Sequence, residues 1–466
     1  MPPADEFKCL NLNISVPAGA ELGSLPVMIF IHGGAFAYST ASSPIYDGRM
    51  LASSEAKPTI IVTMNYRLGV YGFLAGKDLE EYNKGQGESG VGNYGIWDQI
   101  IALRWVKKYI SAFGGDPDRI TLFGQSAGGV SVHAHLLRGE KLFSSAIIQS
   151  GLIGLTGVNS VDEYQIVYEK ILQQLAIPLD MDPKDRVQRL LSVDQDALTM
   201  SMVPVFVVPV VTMPLCDDGD LLPCRMPRLP DIDGRHHLST DWCKRIMIGD
   251  CRNEGVIFNK SWTNLTAQGT PKPGPLDLVN PSAPVVINRL VEILGSEEKA
   301  TKIANIYQLG RGPLFNKLEL LTTHGLFSIS TYLATKSASD VLYAWHFDVP
   351  SPYDNPWKGL AHHSFDNVLL WGILKSTLPE PIQKVSDMMA EAWLKFAHGE
   401  EPWEPFAKAH RWMVFKWDNS ARMASREEDD SWGYRIFDQI QKDGLVADVE
   451  NLALELCLRR EELLSP

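Results

Sequence analysis

The stretch DRITLFGQSAGGVSVHAHLL, residues 118–137, constrains the fold of this chain more than any other. A short strand-like run leads into Gly124-Gln125-Ser126-Ala127-Gly128, a G-x-S-x-G pattern, and a helical run follows at once. A serine on such a sharp turn is held in a strained conformation with its hydroxyl exposed. Glycines flank it because side chains would collide with the neighbouring strand or helix. The pattern alone arises easily by chance, but its strand–turn–helix context indicates a nucleophilic serine at position 126.

The segments around this turn alternate between strand and helix. Apolar runs at 25–33 and 59–67 are typical of strands buried on both faces of a parallel sheet. Apolar residues near helical spacing in 92–115 predict a helix that ends at a glycine pair, and 144–151 predicts a further strand. This rhythm predicts an α/β fold with a doubly wound sheet.

The remainder of the chain is less regular. Residues 160–200 and 285–335 are predicted to be helical, the latter as a cap over the sheet, and 203–230 are predicted to be loop. Late strands are predicted at 340–350 and in HRWMVFKW, which we expect to be the last strand. Because no repeat or low-complexity linker divides the chain, residues 1–466 are predicted to form one domain.

Composition narrows the class of protein further. A net charge of −13 argues against nucleic-acid binding, since a phosphate-binding face needs clustered Lys and Arg. No stretch is long and apolar enough to span a bilayer. The N-terminus does not resemble a secretory signal, so the chain as written is expected in the cytoplasm, or outside the cell if a missing N-terminal segment carries a signal. The six cysteines lack the paired spacing of a zinc site, and we predict neither a metal nor an organic cofactor.

A second glycine motif, FIHGGAF at residues 30–36, ends the first long predicted strand. Such a loop can bring backbone N–H groups close to the oxyanion that forms in acyl transfer. A serine nucleophile also needs a histidine base and an orienting carboxylate, which follow it in the order acid, then histidine, in hydrolases with this turn. The acid candidates are Asp250 and Glu254 in GDCRNEG, and the histidine candidates are His362 and His363 in GLAHHSFD.

With these motifs the chain resembles the type-B carboxylesterases, the α/β-hydrolase group that includes cholinesterases and several lipases. The resemblance is carried by CLNLNISVP, VMIFIHGGAF, VTMNYRLGVYGFL, the long block GNYGIWDQ to GQSAGG, GDCRNEG, AHHSFD and EAWLKFAHGEEPW. It implies an α/β-hydrolase fold, with a mostly parallel central sheet flanked by helices and helical cap insertions. It also implies hydrolysis of a small-molecule carboxylic ester through a Ser-His-Glu triad, without a cofactor.

The same resemblance implies roles for individual residues. Ser126 would be the nucleophile and Glu254 the orienting acid, with Asp250 a structural or surface residue. Backbone N–H groups of Gly34, Ala35 and Ala127 would form the oxyanion hole. Ser150 matches a family serine that supports the buried acid by hydrogen bonding.

The choice of histidine depends on spacing within the family pattern. An acidic residue follows the family histidine by three positions and a glycine follows it by nine, and His363 has both in Asp366 and Gly372. A glycine three positions earlier instead favours His362, through Gly359. Two matches against one select His363 as the base, and His362 is expected to pack against or hydrogen-bond its loop.

The chain also departs from the family pattern. The family has a substantial segment before the CLNLN motif, so its N-terminal strands and the disulfide partner of Cys9 are expected to be missing here. Gln125 stands where cholinesterases have a glutamate, which favours a general carboxylesterase over a choline-specific one. The alternative hypothesis is an N-terminally truncated, inactive relative, or a non-catalytic binding relative. The natural ester and the oligomeric state are left open by the sequence.

Overall fold

The structure is a computed structural model, and it describes residues 8–464 apart from several short internal stretches. These stretches are 20, 22, 203–204, 206–212, 222–237, 239–241, 244, 259–282, 310, 312–313, 337–340, 356 and 419–420. The chain divides into two compact units. The first consists of Met1–Arg228, Thr240–Ile246 and Trp393–Glu400, and the second of Leu229–Ser239, Met247–Ala392 and Glu401–Pro466. The prediction that residues 1–466 form one domain stays a prediction.

The regular elements alternate along the first part of the chain as the apolar pattern predicts. The strands are β1 (Leu12–Ser15), β2 (Leu25–Ile31), β3 (Ile60–Met64), β4 (Gly115–Gln125), β5 (Ser145–Gln149), β6 (Val158–Ser160), β7 (Leu215–Asp217), β8 (Arg245–Cys251), β9 (Leu342–Asp348), β10 (Trp412–Lys416) and β11 (Ala421–Ala424). The helices are α1 (Arg49–Ala52), α2 (Gly69–Phe73), α3 (Lys77–Gly85), α4 (Tyr94–Tyr109), α5 (Ala127–Arg138), α6 (Val161–Gln174), α7 (Pro183–Leu191), α8 (Gln195–Met200), α9 (Ala283–Leu294), α10 (Glu297–Ile306), α11 (Leu314–Thr323), α12 (Ile329–Lys336), α13 (Phe365–Trp371), α14 (Glu380–Ala397), α15 (Phe406–Ala409), α16 (Tyr434–Lys442) and α17 (Val446–Leu464).

The sheet of the first unit has the strand order β1-β3-β2-β4-β5. Strands β2 to β5 run parallel, and β1 pairs with β3 in the antiparallel sense. Ile29 of β2 lies opposite Val62 of β3 and Leu122 of β4, and all three side chains are fully buried. Burial on both faces explains why these strands are continuous apolar runs rather than alternating ones.

In the second unit the strands follow the order β8-β9-β10-β11. Strands β9 and β10 are parallel, and β11 closes the edge by antiparallel pairing with β10. The expectation that HRWMVFKW is the last strand is therefore wrong. The sequence of β11, ARMA, has only four residues, one of them Arg, and is too short to show an apolar run, so pairing with β10 rather than its own pattern makes it a strand.

Two other sequence predictions have mixed outcomes. The helical prediction for 285–335 is confirmed by α9 to α12, with a π-helical turn at His324–Ser328 between α11 and α12. The loop prediction for 203–230 falls mostly outside the described residues. It is wrong at β7, which pairs with β6 in a small parallel sheet.

Candidate active site

Ser126 occupies a strained turn between β4 and α5. Its backbone has φ 57° and ψ −126°, a region that non-glycine residues rarely adopt. Two hydrogen bonds hold this conformation: Ser126 N–H donates to the carbonyl of Gln149 at 2.9 Å, and the Ser126 carbonyl accepts from Val130 N–H at 2.9 Å. The turn between a buried strand and a helix is therefore as the G-x-S-x-G context predicts. The expected exposure of the serine is not found, since Ser126 is buried with 9% exposure.

The glycines around Ser126 are required by close backbone contacts. A Cβ on Gly124 would lie 2.3 Å from the carbonyl oxygen of Gly128. A Cβ on Gly128 would lie 1.9 Å from the carbonyl oxygen of Ile31, on the neighbouring strand β2. Backbone atoms cannot move aside as a flexible side chain can. The collisions expected from the sequence are therefore present on both sides of the serine.

The loop that follows β2 lies beside this turn. A Cβ on Gly33 would lie 2.9 Å from the β-carbon of Ser126, so the loop backbone passes directly against the serine. Gly34, Ala35 and Phe36 all have positive φ, at 110°, 55° and 59°. This run of left-handed residues turns the chain sharply beside Ser126.

The carbonyls of this loop, residues 33–36, all accept hydrogen bonds. Gly33 O accepts from Nδ1 of His32 at 2.8 Å, and Gly34 O accepts from the N–H groups of Ala37 and Tyr38, both at 2.9 Å. Ala35 O accepts from Met213 N–H at 3.1 Å, and Phe36 O accepts from Gly69 N–H at 2.7 Å. In a trans peptide the C=O and the N–H point in opposite directions. These bonds therefore orient the N–H groups of Gly34 and Ala35, two of the three donors expected from the sequence.

His32 braces the start of the loop as a neutral ring. Burial lowers the pKa of His32 to about 4, against an opposing contribution from its bond to Gly33. Since the Gly33 carbonyl can only accept, the imidazole proton is on Nδ1. Tyr66 stacks on the ring at 4.6 Å and donates its hydroxyl proton to the His32 carbonyl at 2.8 Å.

In the second unit, Glu254 and His363 form a buried pair. Oε2 of Glu254 accepts from Nδ1 of His363 at 2.5 Å, and Oε1 accepts from the backbone N–H of Cys251 at 2.6 Å. Glu254 is completely buried, and His363 retains 6% exposure. A carboxylate held on both oxygens fixes the ring orientation and places the imidazole proton on Nδ1, so proton transfer would take place at Nε2.

Asp250, the other acid candidate, bonds a different histidine. Its Oδ1 lies 2.7 Å from Nδ1 of His346, and Nε2 of His346 lies 2.8 Å from the hydroxyl of Tyr434. The His346 ring is stacked between Trp412 and Trp432, at 4.1 and 3.9 Å. Asp250 is completely buried, so of the two roles implied for it, structural or surface, the structure shows the structural one.

The GLAHHSFD loop is clamped to the turn that carries Glu254. Asn253 donates its N–H to Ala361 O at 3.0 Å, and Oδ1 of Asn253 accepts from Ala361 N–H at 3.1 Å. His362 donates from Nδ1 to the carbonyl of His363 at 2.9 Å and lies 5.2 Å from Trp357. Burial lowers the pKa of His362. The structure thus pairs His363 with the acid and makes His362 a part of its own loop.

Sequence reasoning missed several residues around this pair. Phe327, in the π-helical turn, packs on the His363 ring at 5.3 Å, and Thr323 accepts from Gly255 N–H at 2.9 Å. A π-helical turn has no distinctive apolar period, so the sequence contains no signal for this contact. Asn253 could have been found, because it directly precedes Glu254 in the NEG turn.

Three further residues singled out in the sequence, Ser150, Asp366 and Gly372, are also described by the structure, as are two histidines of α5. Ser150 is fully buried with φ 49°, and its support of the acid stays a prediction. Asp366 is buried in the first turn of α13, and Gly372 ends that helix with φ 66°. His133 and His135 are buried in α5, where His133 Nδ1 accepts from Ile153 N–H and His135 Nε2 bonds Gln99. Neither ring is placed as a base for Ser126 by these contacts.

The described residues contain neither a candidate metal site nor a helix able to span a membrane. Over those parts of the chain, we find no cluster of three or more His, Cys, Asp or Glu side chains able to hold a metal ion. Among the helices that the structure describes, none combines the length and apolar character needed to cross a bilayer. The prediction of a cofactor-free enzyme stays a prediction.

Comparisons with known proteins cover nearly the whole chain. A family model described as "Carboxylesterase family" matches residues 5–435. The chain is similar to lipase 3 of Yarrowia lipolytica, with 27% identity over 86% of this chain and 73% of that protein. It is also similar to para-nitrobenzyl esterase of Bacillus subtilis, with 27% identity over 89% of this chain and 78% of that protein. A solved structure of a PNB esterase matches 94% of this chain and 86% of its own, with TM-score 0.71 and 25% identity.

Proposed function

Because this chain belongs to the carboxylesterase family and is a carboxylic ester hydrolase with an α/β-hydrolase fold, we propose that Ser126, His363 and Glu254 are its catalytic triad. The observation that carries the proposal is the 2.5 Å hydrogen bond between Nδ1 of His363 and the buried carboxylate of Glu254. Asp250 and His346 form the competing pair, but both ring nitrogens of His346 are engaged, by Asp250 and Tyr434.

The proposed reaction begins with attack by Ser126 Oγ on the ester carbonyl while Nε2 of His363 takes the hydroxyl proton. Glu254 stabilises the imidazolium that forms. The tetrahedral oxyanion accepts hydrogen bonds from the N–H groups of Gly34, Ala35 and Ala127. Collapse of this intermediate breaks the bond to the alcohol oxygen, which takes the proton from His363 and leaves an acyl-enzyme. Water then attacks the acyl carbon by the same route and releases the acid and free Ser126.

Support for the oxyanion hole comes from the first unit alone. The loop at Gly33 lies against the β-carbon of Ser126, and the carbonyls of Gly33 and Gly34 are bonded so that the following N–H groups point the opposite way. Ala127 is the first residue of α5, so its N–H is one of the unsatisfied donors at a helix N-terminus. Removing one such donor typically costs about 2.7–4 kcal/mol of transition-state stabilisation.

Gln125, beside the nucleophile, supports a general rather than a choline-specific carboxylesterase. The residue is buried, with 2% exposure, and carries no charge that would attract a cationic substrate. We therefore propose small neutral carboxylic esters as the substrate class.

A Ser126→Ala variant tests the proposal. We expect kcat on a p-nitrophenyl ester to fall by a factor on the order of 10⁶, as for removal of the serine in other triads. Ser111→Ala, at an exposed position of the turn after α4, is the matched control and should keep wild-type turnover. A fluorophosphonate probe should label the wild-type chain at Ser126. Near-normal turnover by Ser126→Ala would refute the proposal, and an unlabelled, inactive wild-type chain would support the inactive or binding relative instead.

A further inference from the structure

We propose that Met213–Cys216, called here the anchor segment, is a positioning element for the oxyanion loop. It would act by holding Ala35 in the backbone conformation that aims the Ala35 N–H at the oxyanion. This inference rests on the proposed function, since it concerns the same oxyanion hole. In this role the anchor segment acts through Ala35.

Ala35 has a strained backbone conformation. Its φ of 55° and that of Phe36 at 59° place two consecutive non-glycine residues in the left-handed region. Such residues relax toward negative φ unless the surrounding structure holds them. Holding requires that the peptide groups on both sides of the residue are fixed.

Both peptide groups that flank Ala35 are hydrogen-bonded, but by different partners. The peptide before it is fixed locally, since Gly34 O accepts from the N–H groups of Ala37 and Tyr38. The peptide after it is fixed from a distant part of the chain, since Ala35 O accepts from Met213 N–H at 3.1 Å. If the bond to Met213 is lost, the peptide after Ala35 can rotate, and this displaces Ala37 and Tyr38, which follow it in the chain. Their bonds to Gly34 O then weaken, and the Ala35 N–H, which belongs to the same peptide group as Gly34 O, is no longer held.

The anchor segment is itself fixed at successive backbone groups. Pro214 O accepts from the hydroxyl of Tyr164 on α6, and Leu215 N–H donates to Gly157 O at 3.2 Å. Cys216 is bonded twice by the side chain of Asn93, through its N–H at 2.8 Å and its carbonyl at 2.7 Å. Met213, Leu215 and Cys216 are all buried. A segment tied to a helix, a loop and a buried carboxamide has little freedom, so it can hold Ala35 in a strained conformation.

The geometry therefore predicts a loss that falls on the transition state. The negative charge on the oxyanion appears only as the tetrahedral intermediate forms, so an Ala35 N–H that points elsewhere lowers kcat more than it raises KM. A general loss of folding would instead lower the melting temperature and the final amount of fluorophosphonate-labelled enzyme, and would leave kcat per labelled site unchanged.

Met213→Pro is the direct test, because proline removes the N–H that bonds Ala35. We expect kcat on p-nitrophenyl butyrate to fall roughly 10- to 100-fold, with KM within about twofold of wild type. The rate of fluorophosphonate labelling should fall by the same factor, since that adduct also places an oxygen in the oxyanion hole. Met213→Leu keeps the N–H and a similar volume, and should keep both rates.

Tyr164→Phe is the second variant, and it tests the positioning role of the anchor segment if Met213→Pro fails to fold. It removes the hydroxyl that holds Pro214 and leaves the ring in place, so kcat should fall roughly 3- to 10-fold with KM unchanged. Wild-type kcat in a folded Met213→Pro, or in Tyr164→Phe where the proline variant does not fold, would overturn the inference. Failure of the proposed function is distinct, because the wild-type chain and Met213→Leu would then also be unlabelled at Ser126.

Discussion

Asp250 and Glu254 are four positions apart in the chain, and each bonds a different buried histidine. The ring of His346 bonds Asp250 through Nδ1 and Tyr434 through Nε2, and it is stacked between two tryptophans. Such a ring has no nitrogen left to accept a proton from a serine. His363 bonds Glu254 through Nδ1, and the triad chemistry requires only Nε2. At the scale of single residues, hydrogen-bond partners separate a structural acid from a candidate catalytic one.

Alanine at positions 362 and 363 should have unequal effects on turnover. His363→Ala removes the proposed base, and kcat should fall by a factor on the order of 10⁶. His362→Ala removes one bond to the His363 carbonyl and some ring packing, so most of the turnover should remain. Steady-state kinetics on a p-nitrophenyl ester measure both. The reverse order of effects would mean that His362 is the base.

The spacing that favours His363 over His362 in the family pattern reflects a helix. Asp366 lies in the first turn of α13, and Gly372 ends that helix in the left-handed conformation, so both positions are set by where α13 begins and ends. Asn253 was not predicted, because its role depends on contact with Ala361, 108 positions away in the chain. Local spacing is readable in a sequence, whereas a contact between distant loops is not.

At the scale of elements, the strand–turn–helix around Ser126 was predictable because each part leaves its own pattern. A buried parallel strand is a continuous apolar run, a tight turn requires glycine, and the helix follows with its own period. The elements that were missed lack such patterns. β11 is a four-residue edge strand, β7 is a three-residue strand, and the π-helical turn at His324–Ser328 interrupts an otherwise continuous helix.

Alanine substitutions at Gly128 and Gly85 should change stability in opposite directions. At Gly128 the new Cβ would lie 1.9 Å from a backbone oxygen of β2, so the free energy of unfolding should fall by more than about 3 kcal/mol. Gly85 lies at the end of α3 with nothing within 4 Å of an added Cβ, and alanine there should stabilise the chain by about 0.5–1 kcal/mol. Urea unfolding of the two variants measures this difference. Equal stability of both variants would show that the turn at Ser126 can open to admit a side chain.

At the scale of the whole molecule, the core encloses histidines as well as apolar residues. Burial lowers the pKa of His32 to about 4, and the pKa values of His135 and His324 to about 3. The sequence places His135 in the helical run after Ser126 and His324 in the predicted helical segment 285–335, and neither pattern indicates a buried ring. His324 packs edge-on against Phe437 at 4.7 Å and bonds Tyr307 at 3.2 Å. Their burial comes from tertiary packing, which a helical or strand period does not specify.

These histidines should make the folded chain sensitive to acid. Each has a pKa of 6.5 when unfolded and a lower one when folded, so between those values the unfolded chain binds more protons. Their stabilising contribution is therefore complete above pH 6.5 and is lost as the pH falls toward 4 or 3. The free energy of unfolding should fall by up to about 1.4 kcal/mol per pH unit for each group.

Urea unfolding at about pH 7.5 and about pH 5 measures this slope. His135→Gln, which removes one group, should make it shallower. If the free energy of unfolding does not change between those pH values, these rings are not buried in their neutral form.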